Sequence, residues 1–281
     1  MNIKITSDST CDLSDELVAE NDITILPLIV IMGDKSLKDG VDIVPQDIFD
    51  HVDSGGELCT TSALNVEEYR TFFEPLASEY EAVIHINIGS GISSCYQNAC
   101  IAAKNFSNVY VIDSQNLSTG QGYVVVEACK LAKTCTDVEV MCEELREFTK
   151  RIEASFLLGK LEYMAKGGRC SSVVAFGASV MKLRLSIKVI DGKMIVGKKY
   201  RGTFSKCLEE YVKDCLYMRD DIVWDKAFLT HTPVALDDVK ITKDAVAKYG
   251  HFKQIYETTA GCTISCHCGP GTLGILYARE K

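Results

Sequence analysis

The sequence predicts an α/β protein: an open parallel-sheet domain over residues 1–155, then a smaller α+β domain over 156–281 with a mixed or antiparallel sheet. Three observations carry this reading. Short apolar runs end in bursts of small hydroxyl, glycine and acidic residues. Ile3–Ile5 leads into Thr6-Ser7-Asp8-Ser9-Thr10, Val83–Ile88 into Gly89-Ser90-Gly91-Ile92-Ser93-Ser94, and Val109–Ile112 into Asp113-Ser114. Helical periodicity follows each burst, the alternation of a parallel sheet with its covering helices. Beyond residue 155 the pattern changes, and Asp191-Gly192 between two strand-like segments signals a hairpin. In parallel sheets ligands bind beyond the carboxyl ends of the strands. Hydroxyls and free N–H groups at helix starts suit the oxygens of an anion. The pattern predicts a site for a negatively charged group, built from neutral donors.

The individual elements follow from local chemistry. Ser14 caps a short helix with Asp15 and Glu16 in its first turn, and Ile23–Met32 reads as a strand. Pro45 opens a helix that stops at Gly55-Gly56. Asn65 and Glu68 form a capping box for the helix through Phe72 and Leu76, and Thr60-Thr61-Ser62 falls in the loop between these two helices. Asp137 caps a longer helix with Val138, Met141, Leu145, Phe148 and Ile152 on its apolar stripe. Lys166-Gly167-Gly168 is a helix C-cap, and Arg169 behind it presents a planar, permanently charged fork. A helix over 204–218, a strand over 227–230, a helix over 237–248 and two strands around Gly269-Pro270-Gly271 complete the chain.

Composition excludes several function classes. With a formal charge of −9, 47% hydrophobic and 25% charged residues, the chain reads as globular and without a nucleic-acid partner. No apolar stretch approaches the roughly 18 residues of a membrane span, so no stable membrane insertion is expected. Met1 leads directly into a strand, with no signal-peptide layout, and the expected location is cytoplasmic. The thirteen cysteines are scattered through predicted helices and strands, as expected of buried thiols in a reducing compartment. Cys262, Cys266, His267 and Cys268 lack the paired spacing of zinc knuckles. Read as a strand, the segment puts cysteines on one face and Thr263, Ser265 and His267 on the other. Neither a metal nor a cofactor is expected. His231 and His267 are single histidines near predicted strand ends, and the turn after His267 makes it the better site candidate.

Gly89–Ser94 nearly matches a dinucleotide fingerprint, with Asp113 placed as the ribose-binding acid. This supports an alternative reading as a dinucleotide-dependent enzyme. Ser94 stands where the fingerprint needs its third glycine.

Taken in order, several segments together resemble the DegV family of bacterial fatty-acid-binding proteins. They are Thr6–Leu13, Thr60-Thr61-Ser62, Ser90–Ala99, Val111–Ser114, Ser118–Gly122, Leu161–Arg169, Leu185–Lys188 and His267–Gly271. The resemblance implies a two-domain, non-enzymatic carrier that holds one long-chain fatty acid between its domains. It further implies delivery to a separate fatty-acid kinase that makes the acyl phosphate. The family's carboxylate-binding hydroxyls match Thr61 and Ser93, with Ser62 and Ser94 beside them and His267 close by. Arg169 and Arg201 match arginines associated with the kinase and the phosphoryl step.

Overall fold

The computed structural model of the chain describes residues 1–174 and 183–280. The first elements are β1 (Ile3–Asp8), a 3₁₀ turn (Ser9–Cys11), α1 (Asp15–Glu20), β2 (Thr24–Leu26), β3 (Ile29–Met32), β4 (Lys35–Lys38), α2 (Pro45–Asp53) and β5 (Thr60–Ser62). There follow α3 (Val66–Glu79), β6 (Ala82–Asn87), α4 (Cys95–Ala103), β7 (Val109–Asp113), α5 (Thr119–Ala132), α6 (Val138–Thr149) and β8 (Ile152–Leu157). Then come α7 (Leu161–Gly167), α8 (Ser171–Val174), β9 (Leu183–Ile190), β10 (Lys193–Arg201) and α9 (Phe204–Leu216). The last are β11 (Ile222–His231), α10 (Leu236–Tyr249), β12 (Gln254–Thr259), α11 (Cys262–Cys268) and β13 (Leu273–Arg279).

Strands β2-β1-β6-β7 form a parallel sheet. Every residue of β6 is buried, as a parallel strand covered on both faces must be. Strands β10-β9-β8-β13-β11-β12 form a mixed sheet, antiparallel except for the β11/β12 pair. A small antiparallel sheet, β4-β3-β5, carries Thr61. The fold is therefore α/β with one parallel and one mixed sheet, as the sequence predicts.

Helix α5 packs between the two large sheets. It is apolar nearly all round, the pattern of a helix with no solvent face over its first turns. Gly122 lets the helix approach the 3₁₀ turn after β1: a Cβ there would lie 2.5 Å from the Cys11 carbonyl oxygen. Tyr123 meets Phe228 of the mixed sheet edge-on, 5.6 Å between ring centres. Gln121 donates to Ser7 Oγ and Asp8 Oδ1, both at 2.9 Å. Buried Asp8 also accepts from the N–H groups of Thr10 (3.0 Å) and Ile88 (2.8 Å), so it ties the ends of β1, β6 and α5 together. Full hydrogen bonding is what makes a buried carboxylate tolerable.

Local readings hold where side-chain chemistry is short-range. Ser14, Asn65 and Asp137 cap their helices, and Asn65 with Glu68 closes the capping box. Asp191 and Gly192 both have positive φ (49° and 72°), the type I′ geometry that Asp-Gly predicts. Four readings are corrected. Ile23–Met32 is two strands in different sheets, β2 and β3, because Pro27 cannot supply a ladder donor. Thr60–Ser62 is not a loop but an edge strand paired with Ile29–Ile31. Ile152 begins β8 rather than ending α6. Cys262–Cys268 is helix α11, not a strand, and of the predicted closing pair only β13 follows the Gly-Pro-Gly turn. A short run alternating Cys and Ile with polar residues fits both periods, and tertiary packing decides.

Candidate functional site

Beyond the carboxyl ends of β2, β6 and β7 lies a cleft enclosing about 750 Å³ of empty space, part of it open to solvent. Its apolar walls are Leu28, Ile88, Ile92, Leu117, Met164, Met194 and Ile264. Thr61, Ser62, Ser93, Ser94, Thr263, His267 and Arg169 supply the polar side chains. None of the described lining residues carries a carboxylate.

Three backbone devices position the polar groups. Thr61 is fixed by the pairing of β5 with Val30 on β3. The Gly89–Ser94 turn is tied by Ser90, whose N–H and hydroxyl both donate to Asp113, at 3.0 and 2.5 Å. Helix α11 is closed at its start by two buried carboxylates. Gly261 N donates to Asp12 (2.9 Å), while Cys262 N and Thr263 N donate to Asp39 (2.8 and 3.1 Å). On a helix, Thr263 and His267 are four residues apart and share one face.

His267 Nε2 lies 2.8 Å from Thr61 Oγ1. Its Nδ1 is buried with no partner among the described residues, and the end of α7 closes over it at Gly167. A bare lone pair there costs less than a stranded N–H, which assigns the proton to Nε2 as a donor to Thr61. Burial, with the positive charge of Arg169 beside it, pushes the imidazole down to about 4. The ring is thus neutral near pH 7. With its oxygen accepting from His267, Thr61 keeps its own O–H free to donate. Ser93 Oγ likewise accepts from Cys95 N at 3.2 Å, so its hydroxyl can turn its proton either to the neighbouring Cys95 thiol or into the cleft. Two hydroxyl donors therefore stand over an apolar cleft with their acceptor sides already used.

The remaining predicted residues divide. Ser62 and Ser94 line the same cleft but are exposed. Arg169 lines its edge, exposed, with one guanidinium nitrogen donating to the Gly167 carbonyl at 2.8 Å. Arg201, exposed at the end of β10, is not among the lining residues. His231 is held by the Thr232 carbonyl and Glu257. Thr263 is a lining residue that the sequence reading did not single out; its Oγ1 is buried without a partner among the described residues. The i,i+4 spacing of Thr263 and His267 is the signal that a helical reading would have used.

The geometry gives the dinucleotide alternative no support. Asp113, the candidate ribose acid, spends both oxygens on Ser90 and on Gln115 N (2.9 Å). A Cβ on Gly91 would meet the Gly192 carbonyl at 2.5 Å, so this glycine serves close packing against the β9–β10 turn. Among the described residues, no three His, Cys, Asp or Glu side chains gather as a metal site. No helix among them is long and apolar enough to cross a membrane.

A family model described as an uncharacterised protein of the DegV family matches residues 2–280. The chain belongs to the DegV family. Protein DegV of Bacillus subtilis is 30% identical over 287 residues, with 99% of both chains covered. A DegV family protein from Thermus thermophilus, described as fatty acid binding, superposes with a TM-score of 0.90 at 27% identity, over 99% of this chain and 100% of that one. The structure of DegV from Bacillus subtilis, described as a fatty acid binding protein, gives 0.81 at 28% identity and full coverage of both chains.

The neutral imidazole of this DegV family member makes its stability depend on pH. The unfolded chain protonates this histidine near pH 6.5, whereas the folded protein refuses the proton until about 4. This histidine's contribution to stability is therefore lost as pH drops from about 6.5 towards 4. His85, pushed down to about 3 by burial, acts in the same direction. Denaturant titrations of ligand-free protein at pH 7 and 4.5 should show a smaller loss in His267→Gln than in the parent. Equal losses would mean that the imidazole is not held neutral.

Proposed function

We propose that this chain binds one long-chain fatty acid, with the carboxylate on Thr61 and Ser93 and the acyl chain along the apolar walls. The observation that carries the reading is the pair of hydroxyls, Thr61 and Ser93, set by His267 and the Cys95 N–H beside apolar walls, with no carboxylate among the described lining residues. An ionised carboxylate only accepts hydrogen bonds, and bonds to it from hydroxyls are short and strong. Arg169 stays exposed at the cleft edge, where water screens its charge, so no ion pair is buried with the carboxylate. The tail supplies most of the affinity, roughly 0.8 kcal/mol for each CH₂ removed from water. The fatty-acid binding described for the Thermus thermophilus and Bacillus subtilis relatives supports the same reading.

Mass spectrometry of an organic extract of natively purified protein should find a fatty acid at close to one per chain. Thr61→Ala and Ser93→Ala should each weaken binding of added oleate by roughly 1–3 kcal/mol, the range for removing one partner of a charged group. Absence of lipid together with no oleate uptake would overturn the proposal. Unchanged affinity in both variants would move the carboxylate elsewhere.

The protein then presents the carboxylate to a fatty-acid kinase. A carboxylate oxygen attacks the terminal phosphorus of ATP held by the kinase, the acyl phosphate forms, and ADP leaves. Exposed guanidinium groups suit both an acidic partner surface and the charge that develops on a transferring phosphoryl group. Arg169→Ala and Arg201→Ala should leave oleate affinity nearly unchanged and sharply reduce acyl-phosphate formation by a partner kinase with ATP. Equal turnover in the parent and both variants would reduce these arginines to surface charge.

A further inference from the structure

Beside the Thr61–His267 contact stands a pair of thiols that the candidate site does not use. Cys59 lies two residues before Thr61, and Cys266 immediately precedes His267. Both are buried, in a small apolar cluster with Val30, Ile48, Phe49 and Tyr163. That cluster joins β3, α2, α7 and α11 to the segment entering β5. Residues two apart on an extended chain share a face, and here both meet α11. Thr61 does so through His267 at 2.8 Å, and Cys59 through a hydrogen bond between its sulfur and that of Cys266. Neighbouring Cys262 is engaged elsewhere, its S–H donating to the Ile43 carbonyl at 3.1 Å.

The two sulfurs differ in character. Burial pushes other thiols of the chain up, as at Cys11, Cys129 and Cys262. Cys59 is shifted down instead, because Cys266 donates to its sulfur, and Cys266 is pushed up in return. The thiolate is the nucleophile in thiol oxidation, so Cys59 is the attacking sulfur and protonated Cys266 the one positioned to resolve. Access comes from the edge of the small sheet. β5 is its outer strand, three residues long, and Thr60 beside Cys59 is exposed. Short edge segments open locally far below the cost of global unfolding, and a hydroperoxide is a small reagent.

We propose that Cys59 and Cys266 are a reversible oxidation site, closed to a disulfide by hydroperoxide. The Cys59 thiolate attacks one oxygen of hydrogen peroxide, the O–O bond breaks, and the leaving hydroxide takes up the proton that Cys59 had released. Cys59 is then a sulfenic acid, which condenses with a neighbouring thiol. The Cys266 sulfur attacks the Cys59 sulfur, the S–O bond breaks, and the departing hydroxide takes the Cys266 proton as water. Two thiols are oxidised to one disulfide, and one peroxide is reduced to two waters. The link ties the segment entering β5 to α11 next to the Thr61–His267 hydrogen bond, so oxidation fixes that wall of the cleft. The site stands on the thiols alone, and its test does not depend on the lipid reading.

Peptide mapping of the full-length protein decides the matter. Reduced protein is treated with a small excess of hydrogen peroxide, and remaining thiols are blocked with N-ethylmaleimide in denaturant. Mass spectrometry without reductant should then find the Cys59 and Cys266 peptides linked, with the loss of two blockable thiols per chain, and dithiothreitol should restore both. Cys266→Ala should leave Cys59 as a sulfenic acid that dimedone labels, and Cys59→Ala should abolish the link without labelling Cys266. Cys266→Ser and Cys59→Ser provide the same test with a polar side chain, and the parent's own map requires no variant. Amide exchange over β5 and α11 should slow on oxidation of the parent and in neither variant. The proposal is overturned if Cys59 and Cys266 stay reduced under peroxide, if Cys59 links to a different cysteine, or if dimedone labels Cys59 in Cys266→Ala no more than it labels Cys262.

Discussion

Two buried carboxylates, Asp12 and Asp39, hold the start of α11, and the candidate cleft depends on that contact. Seven residues are too few for a helix that is stable by itself. Its first N–H groups are satisfied by acids from distant segments: Asp12 follows the 3₁₀ turn after β1, and Asp39 follows β4. Ser118 and Ser9 donate to the same two carboxylates. Burial pushes the Asp12 carboxyl well up, and hydrogen bonds from Ser118 and Gly261 pull against it. Loss of these partners would strand carboxylates in the interior, so the register of α11 is fixed. That register turns Thr263 and His267 towards Thr61 across the cleft.

The same economy of charge runs through the cleft. A buried arginine facing a buried carboxylate must recover the desolvation of two ions. Hydroxyls avoid the protein's half of that cost, provided their protons can turn into the cleft. Here neighbours arrange it: a neutral imidazole fills the acceptor side of Thr61, and a helix-start N–H fills that of Ser93. The depressed basicity of His267 therefore has a use, because a charged ring would add a buried cation close to the exposed Arg169. The one arginine in the described lining stays at the exposed edge, where water screens it.

What could be read from sequence follows the range of the interactions. Caps at Ser14, Asn65 and Asp137 and the Asp191-Gly192 turn involve atoms a few residues apart, and their chemistry is visible in the letters. The strand-end bursts announced the parallel sheet because burial on both faces imposes continuous apolar runs. The candidate site residues are legible by type rather than by place. Thr61 was legible as a hydroxyl but not as an edge strand, since three residues leave no periodicity to detect. In α11 the period-two reading set Thr263 and His267 on one face with Ser265. The helix keeps the first two together and turns Ser265 back to the Ala260 carbonyl. Asp113 matched a ribose-binding acid by spacing alone, and its real partners, Ser90 and Gln115, are set by the meeting of two loops. The Asp39–α11 contact spans more than 220 residues of chain, and nothing local encodes it.

Carbon-13 NMR of carboxyl-labelled palmitate bound to the protein tests the central claim most directly. The account predicts one bound carboxyl resonance, distinct from that of free lipid, that shifts in both Thr61→Ala and Ser93→Ala. A bound resonance that neither substitution moves would contradict it, because the carboxylate would then lie away from the two hydroxyls.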